Sequence, residues 1–292
     1  MINDAHIHFF SSRFLELLAP DGGGSDAVAA RLEWDAPGTA AELGARWVSE
    51  LDRQGVGRAA LIASIPGDAA SVAEAVAHHQ HRLVGFFMHN PAAPSADAAL
   101  TRALGDLKMR AICLFPAMHG YRLDDPIVDD VFRAAATYRA AVFVHCGVLT
   151  VGVRRKLGLP SRFDLRLGDP LALAKTALGH PDVPVLIPHF GAGYFREALM
   201  AADQCPTIHF DSSSSNSWIR YHPGLSLQAV FKQAVAVVGP SRILFGTDSS
   251  FFPRGWQRPI YEEQGRILDT LAVTDSVRDA IFGGNFDRLF PD

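Results

Sequence analysis

The sequence predicts an α/β fold: a single (β/α)8 TIM barrel, one domain over residues 1–292, with long loops after strands 1 and 5. Three observations lead there. Short apolar runs alternate with alanine-rich amphipathic stretches along the whole chain, the pattern of a parallel sheet with helical crossovers. Eight such runs occur, enough to close a barrel. The first βα unit lacks the GxGxxG turn that would open a dinucleotide-binding sheet.

Strands are expected at 2–8, 59–65, 83–89, 110–115, 141–146, 184–189, 206–211 and 242–248, where short length and β-branched or aromatic content favour strand over buried helix. Between them, Ser71–Arg82 and Ala96–Leu107 begin near a serine and space apolar residues by three and four. Pro126, after Asp124 and Asp125, starts a helix that runs to about Arg139. Later helices are expected at 170–179, 195–203, 225–238, 259–272 and 275–282. The long connections, 9–39 and 147–169, both leave C-terminal strand ends and are candidate lids. Short flexible spots are expected at Gly22–Ser25 and Ser212–Ser215.

Composition narrows the function. With 27 Lys+Arg against 31 Asp+Glu the net charge is −4, which excludes a basic field for nucleic acid. No basic n-region opens the chain, and no apolar run is long enough to cross a membrane, so a cytoplasmic protein is expected. Cys113, Cys146 and Cys205 fit neither a disulfide framework nor a zinc knuckle. The expected partner is a small-molecule substrate, and the chain is open to homodimer formation. No GxSxG elbow supports a serine hydrolase.

Chemistry concentrates at strand ends. In Asp4-Ala5-His6-Ile7-His8 the two histidines share a strand face, while Ile7 and Phe9 turn toward the helices. The fifth strand ends in His145, the sixth in His189 and the eighth in Asp248. An ionisable group ending an apolar strand is costly unless paired or ligated. Five of them on four strands, all at one barrel end, point to a metal site.

These pieces, with His189-Phe190-Gly191-Ala192-Gly193, Gly246-Thr247-Asp248 and Gly284-Asn285-Phe286-Asp287-Arg288-Leu289-Phe290, give a chain that resembles the amidohydrolase superfamily. More narrowly it resembles the amidohydrolase-related branch that includes aminocarboxymuconate-semialdehyde decarboxylase and the resorcylate-type decarboxylases. The resemblance implies His6, His8, His145 and Asp248 as ligands of one divalent ion, Zn2+ first, with Mn2+ and Fe2+ as alternatives. It also implies His189 as the acid or base beside the metal, with Asp248 sharing the proton transfer. The fourth strand ends Cys113-Leu114-Phe115-Pro116, without the bridging lysine or glutamate of dinuclear relatives, so one metal is expected.

Arg254, Arg154 and Trp218 are the candidate substrate contacts: an arginine to clamp a carboxylate, an indole to wall an aromatic pocket. Asp211 is expected to hydrogen-bond behind the ligands. His209, and His78, His79 and His81 on a helix, are expected to be structural or surface residues, and Cys146 to face the helices. The expected activity is metal-dependent hydrolysis of an ester, lactone or amide. The alternative is non-oxidative decarboxylation of a small unsaturated or aromatic acid at the same site.

Overall fold

Each apolar run becomes a strand of one parallel sheet whose spatial order follows the chain. The strands are β1 (Ile2–Phe9), β2 (Val56–Ala63), β3 (Leu83–His89), β4 (Ala111–Leu114), β5 (Ala141–Val144), β6 (Val185–Ile187), β7 (Ile208–Asp211) and β8 (Ile243–Leu244). This is a computed structural model, which describes residues 1–19, 23–213 and 215–292; Gly22 and Ser214, from the two expected flexible spots, lie outside them. β8 is two residues long, yet the barrel closes beyond it. Ala5 N donates to Phe245 O at 2.9 Å, Asp248 N to His6 O at 2.9 Å and His8 N to Ser249 O at 2.8 Å.

Side chains sort by strand face. Ile7, Phe9, Leu61 and Ala63 enter the layer between sheet and helices, whereas Ala60, Ile62, Phe86, Phe143 and Leu186 fill the barrel interior. Phe286 and Phe290, from the C-terminal helix, belong to that interior cluster too. Strict alternation breaks once in the HxH segment. Asp4 pairs with Ala59 but Ile7 with Leu61, so β1 carries one extra residue across Ala5 and His6. This bulge re-aims the strand and leaves His6 and His8 on the interior side.

The connections contain more helix than expected. After β1 come α1 (Ser12–Leu17), α2 (Ser25–Leu32) and α3 (Ala40–Gln54). The sequence reading placed no helix at α3, although Thr39 and Glu42 form a complete capping box at its start. The remaining α-helices are α4 (Ala69–His78), α5 (Ala96–Thr101), α6 (Pro116–His119), α7 (Pro126–Tyr138), α8 (Gly152–Lys156), α9 (Pro170–Leu178), α10 (Phe195–Gln204), α11 (Leu227–Val238), α12 (Arg258–Thr270), α13 (Asp275–Asp279) and α14 (Asn285–Leu289). α4 ends four residues before the expected Arg82, and β2 begins three residues before 59.

The two long connections meet. Phe14, Leu15, Val28 and Leu32 from the first pack with Val153 and Leu157 from the second in their own apolar cluster. That cluster sits beyond the C-terminal strand ends, where the expected lids belong. No helix among the described residues is long and apolar enough to cross a membrane.

Candidate metal centre

His6, His8 and Asp248 converge where β1 meets the end of β8. His6 Nε2 and His8 Nε2 lie 3.3 Å apart, and Asp248 Oδ1 is 3.6 Å from the first and 3.2 Å from the second. The surrounding hydrogen bonds decide where the imidazole protons are. His6 Nδ1 donates to Asp211 Oδ2 at 2.6 Å. Ser64 Oγ gives its proton to Ile62 O, so it accepts from His8 Nδ1 at 2.8 Å. His189 Nδ1 donates to Ser213 O at 2.6 Å. Ser213 Oγ lies 2.9 Å from His6 Nδ1 and 3.0 Å from His189 Nδ1. Each of these histidines therefore turns its Nε2 away from its anchor, free to take an ion or a proton. Three acceptor atoms facing one another across 3.2 to 3.6 Å need a cation or protons between them.

The other two histidines flank this trio. His145 ends β5 with its ring 5.3 Å from that of His189 and 5.4 Å from Phe115. It does not join the close set. His6, His8 and Asp248 form one group of mutually near ligand atoms, and His6, His189 and Asp211 form another. His145 Nδ1 is buried and has no hydrogen-bond partner among the described residues. A buried polar nitrogen without a partner carries a free-energy cost that a ligand can remove. His189 (φ 56°) and Asp248 (φ 57°) both adopt left-handed backbone, a strained choice for non-glycine residues that clusters at functional sites.

The electrostatics follow from crowding. Burial disfavours charge on His6, but the carboxylates of Asp211, Asp248 and Asp4 outweigh it and push the imidazole up to about 9. Burial, reinforced by the neighbouring imidazoles, holds His145 well below its ordinary value. Burial and the charge of His6 lower His189 as well. Burial opposes ionisation of Asp248, yet the His8 hydrogen bond and the surrounding imidazoles hold it below the usual carboxylate range.

A cavity of about 690 Å³ opens onto this cluster and reaches His8, His145, His189 and Asp248. Asp248 is 29% exposed, while His6 behind it is 1% exposed. One wall is a column of near-parallel rings: Phe14 on Phe10 (4.1 Å, 3°), Phe10 on Trp34 (5.5 Å, 9°) and Trp34 on Phe251 (4.2 Å, 10°). The Arg254 guanidinium lies 4.4 Å over Phe251 and donates to Ser250 Oγ at 2.8 Å. Trp218 lines the opposite loop with Tyr221, and its ring packs on Phe195 and His222.

Arg154 is a correction. It does not reach the cavity, because its guanidinium caps the Pro160 carbonyl at 2.7 and 3.1 Å. Arg155 and Lys156, one and two positions further along α8, line the wall instead. Cys146 is buried in the layer facing the helices, and burial pushes its thiol up, as an inert cysteine requires. His78 and His81 are exposed and His79 is half-buried.

Four supporting residues escaped the sequence reading: Asp4, Ser64, Ser213 and Trp256. Asp4, fully buried, accepts from His6 N, Thr247 N, Thr247 Oγ1 and Trp256 Nε1 at 2.6 to 3.1 Å, tying β1 to the segment after β8 directly behind His6 and Asp248. Its place in the Asp4-Ala5-His6-Ile7-His8 motif was the available signal.

Comparison with known proteins bears on the family and the fold. The amidohydrolase family model matches residues 4–291. No protein of curated function matches the sequence. Among solved structures, 5-carboxyvanillate decarboxylase from Novosphingobium aromaticivorans, complexed with manganese and a nitrobenzoic acid, superposes with a TM-score of 0.67 at 14% identity, covering 99% of this chain and 96% of that one. A probable 2-pyrone-4,6-dicarboxylic acid hydrolase from Acinetobacter baumannii gives 0.65 at 14% identity, over 100% and 99%. An amidohydrolase from Burkholderia multivorans with bound zinc gives 0.64 at 14%, over 99% and 98%. At such identities the likeness carries the fold and no more.

Proposed function

The chain belongs to the amidohydrolase family, and on that premise we propose that it is a single-domain, metal-dependent hydrolase of a small ester, lactone or amide. His6, His8 and Asp248 would hold one divalent ion, with His145 as the fourth donor through its Nδ1, which has no partner among the described residues. Three nitrogens, one carboxylate and no thiolate suit zinc, and manganese shares the carboxylate preference. When bound, such an ion polarises a carbonyl and acidifies water.

The observation that carries hydrolysis is the tautomer of His189. Its Nδ1 proton is committed to Ser213 O at 2.6 Å, and burial lowers its pKa, so Nε2 is presented as a base at neutral pH. A base suits proton removal from water, and Asp248, open to the cavity, can receive or return that proton. Decarboxylation asks for an acid to protonate the carbanion it leaves. Trp218 and the ring column would wall the substrate, and Arg254 would orient its polar end.

One feature favours decarboxylation as the second reading. Arg254 is held over Phe251 and beside the Asp248 carbonyl, a position from which it could fix a departing carboxylate. An activity panel of lactones, esters and unsaturated or aromatic acids separates the two, with released acid and released CO2 measured independently. Acid release without CO2, abolished by His189→Ala with metal content unchanged, supports hydrolysis. Metal-dependent CO2 release lost in Arg254→Ala overturns it.

A further inference from the structure

Five histidines among the described residues are buried: His6, His89, His145, His189 and His209. His6, His189 and His209 each set a ring nitrogen on a protein oxygen at 2.6 to 2.8 Å. His145 has no side-chain hydrogen bond among the described residues, and it opens onto the candidate metal centre. His89 is the other exception. It is 4% exposed, meets Phe87 ring to ring at 6.2 Å, and has no side-chain hydrogen bond among the described residues. A buried imidazole without partners carries the same cost here as at the metal centre, and a ligand can remove it.

There is room for one. Side chains alternate along β3, so Met88 lines the 690 Å³ cavity while His89, one residue on, turns to the helix layer. There it lines a second cavity of about 380 Å³, between the end of β3 with α5 and the first turns of α7. Pro91, Leu100, Ile127 and Val131 give this cavity apolar walls. Its charges are Asp97 and Asp130, with no lysine or arginine among the described lining residues. Apolar walls with a few convergent polar groups are the usual form of a small-molecule site.

The polar groups select the ligand's charge. Burial, with His119 adding to it, holds the His89 imidazole down to about 4, so at neutral pH the ring is uncharged and one nitrogen is a bare acceptor. Asp97, close enough to oppose that fall, has no ion pair among the described residues, whereas Asp130 is bound by Arg133. A bare imidazole nitrogen and a carboxylate both accept hydrogen bonds, and carboxylates without a cation in the lining repel an anion. A transition metal is the rival occupant. Among the described residues, however, both groups of three close His, Cys, Asp or Glu ligand atoms contain His6 and lie at the metal centre.

We propose that the cavity between α5 and α7 binds a small organic ammonium, its nitrogen held by Asp97 and His89 and its apolar body by Leu100, Ile127 and Val131. This site is separate from the reaction at the metal centre and does not rest on it.

The test titrates benzylammonium, and benzyl alcohol as its uncharged match, into the full-length, zinc-loaded protein by calorimetry at neutral pH and low salt. Benzylammonium is expected to bind at one site about tenfold or more tighter than benzyl alcohol, the worth of one charge-assisted contact. Asp97 is exposed, so Asp97→Asn leaves the core intact; it should bring the two probes within about threefold by weakening the ammonium alone. A crystal soaked with 4-bromobenzylammonium should place the anomalous bromine signal between α5 and α7. No detectable benzylammonium binding, an undiminished preference in Asp97→Asn, or bromine in the larger cavity overturns the proposal. So does a second zinc per chain that is lost in His89→Phe, which would make the site a metal site.

Discussion

Asp211→Asn is the sharpest perturbation of the proposed metal site that replaces no ligand. Asp211 is fully buried and uses each oxygen once: Oδ2 accepts from His6 Nδ1 at 2.6 Å, Oδ1 from Ser213 N at 2.5 Å. Asparagine has one oxygen for two donors. If that oxygen stays with Ser213, the amide NH2 faces His6 and drives the imidazole proton to Nε2, the atom needed for the ion. If it turns to His6, an amide donor faces a backbone donor. The first orientation blocks the nitrogen needed for the ion and the second sets two buried donors against each other, either at about 1–3 kcal/mol. That range converts to about 10- to 100-fold in metal affinity, the usual consequence of losing an outer partner of a ligating histidine. Ser213 Oγ, 2.9 Å from His6 Nδ1, supplies a fallback acceptor and places the expected loss near the lower end. Competition against a chromophoric chelator measures it, with thermal melts of the chelated proteins as the folding control. A folded Asp211→Asn protein that holds zinc within threefold of wild type would refute the tautomer argument.

Three further outcomes are expected. Gly147 sits at φ 73°, and a Cβ there would meet Gly191 O at 2.3 Å and Ala192 O at 2.4 Å; Gly147→Ala should therefore cost about 3 kcal/mol by denaturant titration and disturb both His145 and His189. Thr39→Ala breaks the capping box of α3 and should cost about 1 kcal/mol, a fall of a few degrees in Tm with metal content unchanged. Burial holds His209 down to about 4, so its contribution to stability is full above an unfolded value near 6.5 and is lost as pH falls toward 4. Between pH 7 and pH 5, His209→Gln should lose less stability than wild type by at most about 2 kcal/mol, and equal acid sensitivity of the two proteins would count against this.

The sequence showed the strand-end residues because each terminates a recognisable apolar run: His145 after Val144, His189 after Pro188, Asp248 after Thr247. It did not show the bulge at Ala5 and His6, which depends on β2 pairing rather than on β1 composition. α3 was legible in Thr39 and Glu42 and was overlooked, whereas the ring column was not legible at all. Phe10, Phe14, Trp34 and Phe251 come from separate segments, and only the closed barrel stacks them. Arg154 could not be told from its helix neighbours, because a five-residue helix in a loop gives no periodic pattern from which to read its phase. The distance of His145 from the close trio is likewise a property of side-chain placement, invisible to spacing.

The seam between β1 and the segment after β8 has a consequence for biosynthesis. His6 and His8 precede Asp248 by about 240 residues, so β1 leaves the ribosome long before the segment that closes the barrel against it. Until then β1 has β2 on one side and a bare edge on the other, and exposed strand edges are templates for wrong pairing. An ion shared by these three residues would bridge a stretch of about 240 residues, constraining the unfolded chain as a long-range crosslink does. Truncation anywhere before residue 248 should therefore leave a nascent chain that holds the ion poorly and depends on chaperones to shield β1. Depleting metal during expression should lower soluble yield more than depleting it after folding.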